Sequence, residues 1–131
     1  MKNNYSTIKL FQYFFWLLRT KLIIPKARLI RFPIDLRGKK YIDFGQRLTT
    51  GVGCRLEAFA VDGNYSKRIV FGSNVQINDY VHISSMNRVE IGNNVLMASH
   101  VYISDNSHGV YKGTIEDSSP NTPPPETELF N

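Results

Sequence analysis

The sequence predicts an all-β chain wound as a parallel β-solenoid. Three observations point there. Six short blocks between Ile69 and Asn106 repeat one pattern: aliphatic, any, aliphatic, small, any, any. Their apolar positions recur at i and i+2, which share one face of a strand and make no helical stripe. The step of six is interrupted only by the extra pair Asn87-Arg88. A hexapeptide period marks a fold whose coils cannot bury their own faces and must stack.

Each block supplies one strand and one corner. The first positions are Ile69, Val75, Val81, Val89, Val95 and Val101; the third are Phe71, Ile77, Ile83, Ile91, Met97 and Ile103. The fourth are Gly72, Asn78, Ser84, Gly92, Ala98 and Ser104, all small, so the chain can bend there. Three blocks close one triangular coil, and coils stack at about 4.8 Å. Two regular coils run over 69–88 and 89–106. Phe44, Thr50 and Leu56 keep the same step and read as a degraded earlier coil, separated from the regular ones by a turn-rich insertion from Ala60 to Arg68. The expected organisation is an arm over 1–40, coils over 41–106 and a loop over 107–131. The loop is polar and carries Pro120, Pro123, Pro124 and Pro125.

The chain of 131 residues suits one domain. A single cysteine, Cys54, excludes an intrachain disulfide framework, fits a reducing compartment and reads as a small core filler. Charge divides sharply. Residues 1–40 hold ten Lys/Arg against Asp35, net +9; residues 41–131 hold six against ten Asp/Glu, net −4. No motif supports nucleic-acid binding. The arm combines its cations with Phe11, Phe14, Phe15, Trp16 and Leu18. It is too short an apolar run to span a bilayer and has no signal-cleavage pattern. It reads as an amphipathic helix lying on the anionic inner face of a membrane, or as a helix capping the open prism, or both. The expected location is the cytoplasm, peripheral on that inner face. No metal is expected. His82 and His100 are eighteen apart, but the extra pair makes this coil twenty residues long. His82 therefore stacks with Tyr102 and His100 with Tyr80, so the histidines share no face.

Beyond the last coil come I-S-D-N-S-H-G at 103–109 and S-S-P-N-T-P-P-P-E at 118–126. Together with the hexapeptides, T-G-V-G-C-R-L-E-A-F at 50–59 and V-Q-I-N-D-Y-V-H-I at 75–83, these segments resemble the hexapeptide acyltransferases. The resemblance is to bacterial O-acetyltransferases of surface-polysaccharide and lipopolysaccharide biosynthesis, which are similar to the galactoside and maltose acetyltransferases. It covers roughly residues 30–131. It implies a left-handed β-helix, an exception to the usual right-handed crossover. It also implies a homotrimer with sites between neighbouring prisms, acetyl-CoA as donor and a sugar hydroxyl as acceptor.

The same resemblance assigns roles. His108 is the implied general base, taking the acceptor proton as the sugar oxygen attacks the thioester directly. Asn78 lies thirteen residues before Ile91, and His108 seventeen after it. That spacing matches the galactoside acetyltransferase pattern, in which an asparagine holds the acceptor. Asp105 would orient His108 or bind the sugar, or simply cap backbone amides of a turn. Asp79 and Tyr80 would line the acceptor cleft beside Asn78. The family continues past the Pro-rich segment with further coils that carry much of the CoA groove, so the chain reads as C-terminally truncated. The rival expectation is a non-catalytic solenoid that docks or assembles at the membrane through its basic arm.

Overall fold

The computed structural model describes residues 6–60, 63 and 65–106. Helix α1 (Thr7–Ile23) comes first, with Ser6 as its cap: the Ser6 hydroxyl accepts from the Lys9 amide. Ten strands follow among the described residues: β1 (Ile34–Arg37), β2 (Ile42–Asp43), β3 (Thr49–Thr50), β4 (Cys54–Ala58), β5 (Ile69–Phe71), β6 (Gln76–Ile77), β7 (His82–Ser85), β8 (Val89–Ile91), β9 (Leu96–Met97) and β10 (Tyr102–Ser104). Consecutive strands from β2 onward rotate among three sheets, ordered β1-β4-β7-β10, β2-β5-β8 and β3-β6-β9. Every pairing is parallel. This is the layout of a three-sided parallel β-helix.

The register follows the hexapeptides. Ile69 pairs with Val89, Phe71 with Ile91, Ile77 with Met97 and Ile83 with Ile103. The degraded coil keeps step, with Thr50 against Ile77 and Leu56 against Ile83. Leu56, Ile69, Ile77, Val81 and Ile83 are completely buried in one core cluster. Burying each such side chain contributes about 1.5–3 kcal/mol, and it does so only because a second coil covers the first.

Extra residues gather at one corner. The chain makes a 3-10 turn at Lys39–Tyr41 between β1 and β2, a long excursion between β4 and β5, and a short one between β7 and β8. All three join the β1-β4-β7-β10 sheet to the β2-β5-β8 sheet. The other two corners keep the strict step of six. Each places a residue in the left-handed region, Arg47, Asn74 and Asn94 in one column and Gly53, Tyr80 and His100 in the other, with Gly45 a second such residue at the first corner.

The solenoid takes in residues that the sequence reading assigns to the arm. Ile34–Arg37 pairs with Cys54–Glu57, and Leu29 bridges Thr49. One apolar pair, Ile34 and Leu36, next to Pro33 and among cations, gives no repeat to detect. The helix itself adds little to the core. Thr20 is its one buried residue, whereas Ile24, Ala27 and Ile30 beyond it join the core cluster. Thr20 fastens the helix: its hydroxyl accepts from the Ile30 amide at 2.9 Å and donates to the Trp16 carbonyl at 2.6 Å. Thr20→Val keeps the shape but leaves the buried Ile30 amide without a partner. It is expected to cost about 1–3 kcal/mol, read as a lower denaturation midpoint together with faster amide exchange at Ile30.

Candidate active site

Asn78, Asp79 and Tyr80 form the corner between β6 and β7. The turn closes because Tyr80 takes φ 58°, in the column of Gly53 and His100. Its ring lies against Gly53, where a Cβ would come within 2.4 Å of it, and stacks on the His100 ring at 5.1 Å. Tyr80 remains 55% exposed although its ring lies between Gly53 and His100. Asp79 holds the preceding coil, its Oδ1 accepting from the Val52 amide at 2.9 Å. Asn78 is half-buried. Its amide donates to the Met97 carbonyl, and its own carbonyl accepts from the Cys54 thiol at 3.1 Å. Its side-chain oxygen accepts from Gln76 at 3.3 Å. Among the described residues nothing accepts from its carboxamide N–H groups, which suits them to donate to an acceptor oxygen.

Asp105 lies across the same sheet, just after β10, at the corner where the extra residues gather. Its carboxylate accepts from the Ser85 hydroxyl (2.7 Å) and from the amides of Met86 (2.8 Å), Asn87 (3.1 Å) and Arg88 (2.6 Å). Four donors fully engage it. It thus closes the turn made by the Asn87-Arg88 pair, the backbone-capping role among those expected of it. The next residue is anchored too: Asn106 donates from Nδ2 to the Ser84 hydroxyl at 3.0 Å. His108, the expected base, lies outside the described residues, as does the Pro-rich segment.

The structure therefore brings Asn78, Asp79 and Tyr80 together and sets Asp105 apart from them. The two groups flank opposite ends of β7, and a four-residue strand with its corners spans roughly 13–20 Å.

Sequence reasoning missed the polar outer face of that sheet. The register aligns Asp35, Arg55, His82 and Tyr102 in one row and Arg37, Glu57, Ser84 in the next. Glu57 is only 6% exposed although it faces outward. Arg37 (3.0 Å), Arg55 (2.5 Å) and His82 (2.8 Å) close over it. Burial pushes its carboxyl up, but the hydrogen bonds from His82 and Arg55 outweigh this and hold the pKa below its ordinary 4.5. A carboxylate with a depressed folded-state pKa stabilises the fold fully above the unfolded value, and that contribution disappears as pH falls through the folded one. Stability should therefore drop on acidification below about pH 4.5. Glu57→Gln should flatten that drop and lower stability near neutral pH by about 1–3 kcal/mol, measured by thermal melts from pH 7 to 3. A variant as acid-sensitive as the parent would contradict this role. Only the pairing of Glu57 with His82, twenty-five residues apart across an irregular insertion, reveals the cluster.

The remaining titratable groups have plain structural places. Cys54 is buried, and burial raises its thiol pKa, which disfavours a thiolate nucleophile. His82 tilts against Tyr102 at 4.8 Å while His100 lies on Tyr80, the pairing expected from the twenty-residue coil. Among the described residues no three His, Cys, Asp or Glu side chains group to hold a metal ion.

The chain is 46% identical over 107 residues to a protein of Escherichia coli strain K12 that carries the provisional name lipopolysaccharide biosynthesis O-acetyl transferase WbbJ. The match takes in 82% of this chain and 52% of the relative, so the chain spans about half the length of the curated relative it matches. No family model matches the chain, and no solved structure does. In the identity of its residues as well as in its repeats, the chain thus resembles the bacterial lipopolysaccharide O-acetyltransferases.

Proposed function

We propose that the chain is an O-acetyltransferase, or the part of one that carries base and acceptor groups, working in surface-polysaccharide or lipopolysaccharide assembly. The observation that carries this reading is the 46% identity to a protein named for that activity. Acetyl-CoA is the donor and a sugar hydroxyl the acceptor. The left-handed winding implied by the resemblance belongs to the same reading.

Catalysis needs a base beside the acceptor, because a neutral hydroxyl is a weak nucleophile. His108 is that base. It follows Asn106, the last anchored residue, by two positions, a covalent reach of at most about 7 Å. Asp105 serves by fixing the corner from which that loop departs. As the sugar oxygen attacks the thioester carbonyl, its proton passes to His108. Backbone N–H groups stabilise the oxyanion, and the CoA thiolate leaves and takes up the proton. Asn78 donates its carboxamide to the acceptor, and Tyr80 and Asp79 line the cleft beside it.

The separation of Asn78 from the Asp105 corner bears on assembly. His108 departs from the corner roughly 13–20 Å from Asn78, so a site drawn from two copies spares the chain a return across the sheet. A homotrimer with closed symmetry brings one edge of the sheet against the opposite edge of a neighbour. Each site would then take Asn78 from one copy and His108 from the next.

The test is transfer of labelled acetyl groups from acetyl-CoA to deacylated surface polysaccharide. Acetyl-CoA-dependent labelling of sugar hydroxyls is expected. Absence of both labelling and CoA binding would favour the non-catalytic docking solenoid instead.

A further inference from the structure

We infer that helix α1 is an interfacial membrane anchor, laying its outward apolar face into the surface of an anionic lipid bilayer. A surface helix ordinarily turns its apolar face to the core. This one does the reverse. Trp16, Thr20 and Ile23, at i, i+4 and i+7, face the body, and Thr20 is the residue buried there. Leu10, Phe11, Phe14, Phe15, Leu18 and Leu22 fall on an arc of roughly 140° on the far side. They are 51–77% exposed. One cation, Lys21, falls inside that arc, and it folds back and donates to the Ala27 carbonyl at 3.3 Å. The outward face is therefore apolar and rich in phenylalanine, the composition of a helix seated at the level of lipid headgroups. Seventeen residues span only about 26 Å, and among the described residues no helix is long and apolar enough to cross a membrane.

Charge selects the occupant. Between Thr7 and Ile34 there are six Lys/Arg and no Asp or Glu. A second copy docked face to face would set these cations against each other, whereas an anionic bilayer attracts all of them. The coils over 34–106 carry eight Lys/Arg against seven Asp/Glu and are nearly neutral, so the attraction to an anionic surface is concentrated on the arm. The far end of the stack, at β8, β9 and β10, lies opposite the arm's attachment to the first coil. Coils continuing the stack would grow away from this face.

The inference is independent of acetyl transfer, because vesicle binding is read without donor or acceptor. The experiment is flotation of the full chain with phosphatidylcholine vesicles, with and without phosphatidylglycerol. Association at least about tenfold stronger with the anionic vesicles is expected, weakening as salt rises. Phe11→Ser, Phe14→Ser and Leu18→Ser combined should lower it at least about tenfold while the melting profile of the solenoid stays that of the parent. Lys26→Glu with Arg28→Glu should remove the preference for phosphatidylglycerol and leave the apolar face intact. Failure of the parent chain to float would overturn the proposal, and so would undiminished flotation of the triple serine variant. Self-association abolished by the serine variant, in a chain that does not float, would assign the face to a second copy.

Discussion

His108→Ala is expected to lower the rate of acetyl transfer by about 10²- to 10⁴-fold, the usual contribution of a positioned general base. The acceptor hydroxyl keeps its proton throughout the physiological range, so without a base the attacking oxygen develops positive charge with nowhere to discharge it. The substitution lies two residues beyond Asn106, the last residue anchored to the coils. Melting temperature and the register of the β-helix should therefore be unchanged. Steady-state kinetics with acetyl-CoA and a saturating sugar acceptor read the loss as a fall in kcat with little change in KM. Unchanged turnover would remove His108 from the chemistry. By contrast, Asn78→Ala should act mainly on acceptor KM, as the proposed acceptor-holding role requires a contact made in the ground state as well as in the transition state.

Gly51→Ala should destabilise the β-helix by about 1–3 kcal/mol or more. Gly51 is the corner residue stacked against Asn78 and Asp79 in the next coil. A Cβ there would lie 2.4 Å from the Asp79 amide nitrogen and 2.6 Å from the Asn78 carbonyl carbon. These are backbone atoms and cannot swing aside as a flexible side chain would. The coils must part locally, which weakens the bond from the Val52 amide to Asp79. The Asn78 corner moves with them, so acceptor KM should rise alongside the stability loss. Denaturant unfolding checks the first effect as a lower midpoint at unchanged slope. Gly92→Ala is the matched control: a Cβ there meets no described atom within 4 Å, and its effect should stay within about 0.5 kcal/mol.

The coils were legible because the physics of a solenoid is local and periodic. Two inward aliphatics and a small corner residue every six positions determine which side chains stack. The register of Ile69 on Val89 and Ile83 on Ile103 follows by counting. The same count, with two residues added for Asn87-Arg88, places His82 on Tyr102 and His100 on Tyr80. What escaped was whatever depended on irregular segments. The strand at Ile34–Arg37 has one apolar pair and sits in a run of cations, so the charge pattern of the arm hides it. The excursion from Phe59 to Arg68 has no countable period, which concealed the meeting of Glu57 with His82. The sharing of one corner by all the extra residues likewise shows only once strands are assigned to sheets. For the candidate site, chain order put Asn78, Asp79 and Tyr80 side by side. It could not show that Asp105 spends its carboxylate on the turn at 85–88. The apolar richness of the arm was plain in the sequence, but its outward orientation was not. That orientation depends on Thr20, a polar residue, being the helix residue that is buried.

The most direct test of a site shared between copies is complementation. His108→Ala and Asn78→Ala chains would be unfolded together, refolded as a mixture and assayed for acetyl transfer at acceptor concentrations far below KM, where the loss of Asn78 is fully felt, beside each variant alone. If each site draws His108 from one copy and Asn78 from its neighbour, a statistical trimer rebuilds intact sites at about a quarter of its interfaces. The mixture should then recover about a quarter of the parent activity. A mixture no more active than the average of its two components would contradict the shared site.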